Sequence, residues 1–357
     1  MTEPMALAAD ALWAPLVDAG TQWCAPNVHA DAAWLDVGGQ RWRVAVTKAV
    51  PGNSYVVSAA GQYLDYAREE TRRIPSRANR TASRGLLAAV APVVRALDPV
   101  VILDALPVST VLHPVRPADA WHDALAAARA SFPSQPVMVR SLDAVASRGT
   151  LETLRALGMA LIPSRIVFHQ DPGPDAFWQA RNLRHDLALQ RRAPMPCRAL
   201  TPGDAAHIES LYWQLYGDKH SRLNPRFTRQ WLAHGMTAGV FEGEGIEHDR
   251  QLVGVYLSYT IGGVMTNPVF GYDTSLPQPL GLYRRLGVLA LQAARRKGLV
   301  LHASSGAPAF KATRGGAPSI EYHAVDLRGV RGVQRMAWET VLRIARAVGP
   351  AMMRRAT

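Results

Sequence analysis

The sequence predicts an α/β protein of two tandem domains, each a mixed, largely antiparallel sheet flanked by helices. Three observations carry this. At 357 residues the chain is long enough for two ordinary domains. Strand-like and helix-like stretches alternate through 84–168 and again through 201–327. Between them lies a Pro- and Arg-rich segment, 170–197, after which helical periodicity restarts sharply at Leu200. The expected organisation is a first domain over 1–197 with 170–197 as its basic connector, a second over 198–330, and a C-terminal helix and tail over 331–357.

Taken in order, 7–17 suits a short Ala-rich helix, and WLDVGGQRWRVAV from Trp34 reads as a hairpin turning at Gly38-Gly39. A further strand is expected at 55–58. Residues 68–84 hold six arginines with no interleaved aromatics, which suits a solvated loop better than a phosphate-facing patch. A helix follows over 84–97, with Leu87, Val90, Val94 and Leu97 on one face. Then come a strand at 100–106, a helix at 118–130, a strand at 137–142, a helix at 143–157 stopped by Gly158, and a strand at 160–168.

In the second half, Thr201 can cap with Asp204 three residues on, and Ile208, Leu211, Tyr212 and Leu215 form the apolar face of a helix ending at Gly217. A second helix runs through Trp231. A meander follows, with strands near Gly239, over 252–260 and over 264–272, and turns over 242–250 and at Gly262-Gly263. The clearest helix carries Leu282, Leu286, Leu289 and Ala293 on one stripe, with Arg295, Arg296 and Lys297 in its last turn and Gly298 as its stop. A strand at 299–303, the irregular loop SSGAPAFKATRGG and a strand at 321–327 close this half. In the C-terminal helix, Ala337, Val341, Ile344 and Val348 share a face.

Composition removes several classes. No apolar run approaches ~20 residues, so no membrane span is expected. Glu3 and Asp10 precede any basic residue, against a secretory signal. Cys24 and Cys197 alone make neither a disulfide framework nor a Cys-rich zinc site, and a cytoplasmic protein is expected. The eleven histidines show no His-x3-His or His-Glu-x-x-His spacing, so no metal is expected. The net charge of +12 suits polyanionic partners, and suits equally an Arg- and Ala-rich composition.

The stretches LYWQLYGDKHSRLNPRFT (211–228), VFGYD (269–273), PLGLYRRLGVLALQAARRKGL (279–299), HASSGAPAFKATRGG (302–316) and EYHAV (321–325) resemble acyltransferases of the GNAT superfamily. The Fem-type and BioF2-like branch, often with two such domains in tandem, is the most similar. The resemblance covers about 200–328 and makes the first half a degenerate partner domain. It implies transfer of an acyl group onto an amine of a small metabolite or surface polymer. The donor would be a thioester, acyl-CoA or carrier-protein-bound, or else aminoacyl-tRNA. Ordinary acetyl-CoA members carry Gln/Arg-x-x-Gly-x-Gly/Ala at a helix start, whose N–H groups hold the pyrophosphate. Here Gln278 and Gly281 match, but Tyr283 replaces the second small residue and crowds a phosphate, leaving Arg284 and Arg285 to meet one.

Acyl transfer to an amine needs a free amine, an oxyanion donor and an acid for the leaving group. Asp273 suits an amine-binding or basic role, and equally a turn cap before Leu276-Pro277. Tyr272 and Tyr283 suit proton donation to the leaving group, or core packing. His220 is a candidate base, or a surface His at a helix end. Lys311, after Phe310 as in the Fem-type branch, is the candidate holder of an anionic group. Ser304 and Ser305 offer donors or form a turn, Glu321 is a second acid, and Asn224 meets substrate or caps a helix. The site is expected between the second-domain sheet and the first domain. A tRNA-dependent aminoacyltransferase and a non-catalytic binding or scaffold protein are the alternatives.

Overall fold

Described here from a computed structural model covering residues 4–73 and 75–356, the chain forms one sheet of eleven strands among those residues. The strands are β1 (Ala30–Val37), β2 (Gln40–Thr47), β3 (Val101–Leu103), β4 (Val137–Leu142), β5 (Ala160–Gln170), β6 (Cys197–Ala199), β7 (Glu242–His248), β8 (Gln251–Ile261), β9 (Val264–Tyr272), β10 (Val300–His302) and β11 (Ala317–Asp326). Their order is β1-β2-β3-β4-β11-β5-β10-β9-β8-β7-β6. Only β3–β4 and β9–β10 run parallel. The helices are α1 (Pro4–Ala19), α2 (Ala67–Glu70), α3 (Arg77–Arg95), α4 (Ala118–Ser131), α5 (Arg148–Ala156), α6 (Arg181–Arg192), α7 (Ala205–Trp213), α8 (Arg229–Thr237), α9 (Leu282–Arg296), α10 (Pro308–Ala312) and α11 (Gly332–Ala356).

The last strand does not stay with its own half. β11 inserts between β4 and β5, pairing Tyr322 with Leu142 and Glu321 with Arg165. The sheet is therefore continuous from one half to the other, and the expected 197/198 boundary falls inside β6.

Local chemistry explains the elements that frame the site. Gly38 and Gly39, at φ 57° and 72°, make the tight turn joining β1 and β2. Thr201 and Asp204 form the expected capping box at the entry to α7. The α9 stripe is buried as its spacing predicts, and Gly298 ends the helix at φ 65°. Cys24 is buried and Cys197 exposed, and both are free. No helix among the described residues is long and apolar enough to cross a membrane.

Several expectations need correction. Residues 55–58 form turns, not a strand. The 143–157 helix shortens to α5, because the Asp143 carboxylate accepts from the N–H groups of Val145 and Ala146 and holds a turn first. Residues 242–248 are strand rather than turn, so the reversal narrows to Asp249-Arg250 in left-handed conformations. The 68–84 stretch is mostly helical, spanning the end of α2 and the start of α3. The connector carries α6, which packs on α9 with Leu183 and Asp186 buried. The final loop contains α10.

Candidate active site

The sheet parts at β9. Its parallel pairing with β10 stops at Thr266↔His302, where β10 ends, while the other edge of β10 pairs with β5 through Leu301↔Gln170 and His302↔His169. Beyond Thr266 one edge of β9 faces no strand among the described residues. The break is written into the chain. The β8–β9 register shifts between Leu257↔Val269 and Tyr259↔Thr266, so Asn267 and Pro268 oppose Ser258 alone. That bulge bends the strand, and Pro268 has no N–H to give to a ladder. The Asn267 side-chain oxygen there is buried without a hydrogen-bond partner.

The wedge opens into a cavity of about 940 Å³. Both halves of the chain build it, each through a π-helical turn: Gly61–Tyr66 brings Gln62, Tyr63 and Tyr66, and Gln214–His220 brings Tyr216, Lys219 and His220. Such turns are rare and recur at functional sites. Aromatic rings form one wall. Tyr283 packs edge-on against Phe270 at 5.2 Å and Phe310 at 4.7 Å, with Tyr272 at 6.2 Å. Burial raises the Tyr283 hydroxyl above its usual range, so it stays protonated.

Lys311 sits beside the wedge, nine-tenths buried, under the turn at 303–305. Its Nζ donates to the carbonyls of Ala303, Ser304 (3.2 Å) and Ser305. Burial, with Arg165 nearby, pulls its pKa down to about 7. With three donors on three carbonyls, the protonated amine has no spare hydrogen for the cavity, and it offers a positive charge only while protonated. Arg165 grips Glu321 with two bonds of 2.9 Å and also reaches Ser109 and Thr110.

The start of α9 differs from a phosphate cradle. Gly281, at φ 66°, caps the helix, and a Cβ there would lie 2.6 Å from Leu189 of α6. Asp186, also on α6, takes Arg284 Nε on one carboxylate oxygen and Arg314 Nε on the other, each at 2.5 Å. The Arg314 guanidinium stacks 3.5 Å from the Phe310 ring. A carboxylate of the chain itself thus bridges two cations at the helix start and balances one of their two charges.

Of the expected residues, Tyr272, Tyr283, His220, Asn224, Ser304, Ser305, Lys311 and Arg284 line the cavity. Asn224 has its amide and oxygen engaged by Tyr216, Ser221 and Tyr55, so it holds the wall in shape. Lys219 donates to the Tyr272 hydroxyl at 3.3 Å. Four of the expected residues fall outside the lining. Asp273 accepts from the N–H and hydroxyl of Ser275 and is a turn residue outside the lining. Arg285 is buried and bonds the Leu280 carbonyl, and Gly281 lies against Leu189, so neither reaches the cavity. Glu321 acts through Arg165 rather than at the surface of the cavity. Sequence reasoning missed Arg140, Arg165, Asp186, Tyr63 and Tyr66. The available signal was a lone charge inside an apolar strand, as in VMVRSL and ALIPSRIVFHQ.

It also missed a buried group in which Asp143 lies 3.3 Å from His169 Nε2 and 3.4 Å from His302 Nε2. Burial alone would raise Asp143, but its contacts with the two imidazoles outweigh it and hold the carboxyl well below its usual range. The donor set fits a metal poorly. His302 Nδ1 accepts the Ser304 N–H at 3.1 Å, which leaves the ring proton on the Nε2 that faces Asp143. A ligating His instead donates from its other nitrogen. His302 thereby pins Ser304, whose φ is 58°, while Asp143 Oδ2 and the Nε2 atoms of both histidines are buried without a hydrogen-bond partner.

No family model matches the chain, and no curated protein matches it. Solved structures similar to it include FemX (TM-score 0.48, 11% identity, 90% of this chain and 96% of that one). L-PGS from Bacillus licheniformis matches at TM-score 0.46 and 12% identity over 62% of this chain and 77% of that one. A tandem GNAT protein from the clavulanic acid biosynthesis pathway matches at TM-score 0.37 and 13% identity over 66% and 76%.

Proposed function

We propose that the chain is an acyltransferase that moves an acyl group onto an amine, with the group delivered as an aminoacyl ester on tRNA rather than as acyl-CoA. The observation that carries the choice of donor is the filled start of α9. Asp186 and Leu189 occupy the approach by which the resemblance would bring a pyrophosphate. The net charge of +12, and the lining of the cavity by Thr71 and Ser83 within the arginine-rich stretch, favour a polyanionic carrier.

In this reading the amine nitrogen attacks the ester carbonyl carbon, with His220 taking its proton. Negative charge gathers on the carbonyl oxygen beside the Lys311 ammonium, which is charged only in its protonated form. The C–O bond to the tRNA ribose then breaks, the departing oxygen takes a proton from Tyr283, and the proton held by His220 returns through solvent to restore the Tyr283 hydroxyl. An amide and a deacylated tRNA result, with no covalent enzyme intermediate.

The test is tRNA binding by fluorescence anisotropy at low and moderate salt, beside thermal melts with CoA. The reading expects binding that weakens steeply with salt, and no stabilisation by CoA. Stabilisation by micromolar CoA without tRNA binding would refute it.

A further inference from the structure

Arg140 lies on β4 with only 3% of its surface exposed, yet it lines the cavity. It donates to the Val56 carbonyl, its Nε has no hydrogen-bond partner, and among the described residues no carboxylate pairs with it. The acid nearest in its electrostatic surroundings, Glu321, already gives both oxygens to Arg165. The tyrosines beside it, Tyr55 and Tyr63, are pushed up by burial, and His323 is held well below its usual range by burial. They contribute no charge. Arg140, Arg165 and Glu321 together therefore leave one buried positive charge unmatched, a state that costs several kcal/mol in the empty protein.

The backbone shows that this orientation is built. Between Tyr322↔Leu142 and Ala324↔Val139, Arg140 and Ser141 oppose His323 alone, and Ser141 sits at φ 57°. A bulge of this kind re-aims a side chain. It is held from behind, because the Arg140 carbonyl lies 2.6 Å from His113 Nε2. His113 Nδ1 lies 2.8 Å from Asp104, which Arg43 also grips.

We infer that Arg140 anchors a carboxylate of the acceptor, so that the amine substrate is an amino acid or a peptide whose C-terminal residue carries a side-chain amine. That an anion binds here follows from Arg140 itself; that the anion belongs to the acceptor rests on the acyltransferase reading. Within this group Arg140 is the cation with no carboxylate of its own, since Glu321 is held by Arg165. The aromatic neighbours Tyr55, Tyr63 and Tyr66 suit an apolar body behind the carboxylate.

The test uses the full chain and three probes of similar shape: benzoate, benzamide and phenylphosphonate. Benzoate should stabilise the wild type in thermal melts and bind measurably by calorimetry, and neutral benzamide should not. Arg140→Gln should weaken benzoate by about tenfold or more, and Arg140→Lys should retain part of it. Equal effects of benzoate and benzamide on the wild type overturn the inference without any variant, so a misfolded Arg140→Gln leaves it falsifiable. Phenylphosphonate binding more tightly than benzoate overturns the assignment to a carboxylate. Benzoate discrimination in a protein that transfers no acyl group from any donor would support the subsite and sink the transferase reading. Transfer without discrimination would sink the subsite alone.

Discussion

Asp186→Ala is the substitution that separates the donor classes. The carboxylate is 1% exposed and receives Arg284 and Arg314 on opposite oxygens, with a further Arg314 contact at 3.3 Å. The two cations are not equally buried: the Arg314 side chain is 11% exposed and the Arg284 side chain 38%. Leaving a buried partner unpaired costs about 3–5 kcal/mol, and an exposed pair contributes about 0–1 kcal/mol. Weighted toward the Arg314 side, the expected loss is about 3 kcal/mol. Denaturant unfolding measures it. The second half of the experiment adds pyrophosphate. If Asp186 stands in for an anion, the variant exposes an empty two-arginine site, and saturating pyrophosphate should restore about 2–3 kcal/mol to the variant and nothing to the wild type. A variant within about 0.5 kcal/mol of wild type would refute the energetics. A wild type stabilised by pyrophosphate as much as the variant would refute the claim that the helix start is filled.

Three further outcomes are expected. Gly281→Ala should cost about 2–4 kcal/mol, combining a left-handed φ of 66° with a Cβ 2.6 Å from Leu189, and Leu189→Ala in the same chain should recover the steric part in a double-mutant cycle. Because the folded pKa of Lys311 lies below its unfolded value, the unfolded chain binds more protons between about pH 7 and pH 10. Stability should therefore rise across that window by up to about 4 kcal/mol, and Lys311→Met should remove the rise in pH-dependent melts. Glu321→Gln strips the acid from a buried two-bond pair with Arg165, and should lower stability by about 3 kcal/mol in denaturant titration.

What the sequence made legible follows from range. The helix α9 announced itself because its stripe, its basic last turn and its two glycines lie within a few residues of one another. The aromatic wall was half visible, since Tyr272 and Tyr283 sit on adjacent elements. What stayed hidden is assembled across the chain. Glu321 meets Arg165 only because β11 crosses into the first half, and Asp143, His169 and His302 converge from distant positions. Asp186 lay in a segment whose Pro and Arg content reads as connector, although Leu183 and Asp186 are buried against the rest of the chain. The π-helical turns escaped because periodicity reports a helix and not its local widening.

The inserted strand also bears on how substrate enters. β11 is hydrogen-bonded on both edges to first-half strands, while its connection leads back to α10 and Lys311 in the second half. Separating the halves as rigid bodies would break those ladders and the Glu321–Arg165 pair, so a hinge between them is an expensive route into the cavity. The β9 wedge needs no such opening, because the pairing of β9 with β10 already ends at Thr266. Thr71 and Ser83 of the arginine-rich stretch and Lys219 of the second π-helical turn belong to the cavity's lining. In the proposed reading a polyanionic donor would approach past the arginine-rich stretch, while the acceptor's carboxylate would sit on Arg140.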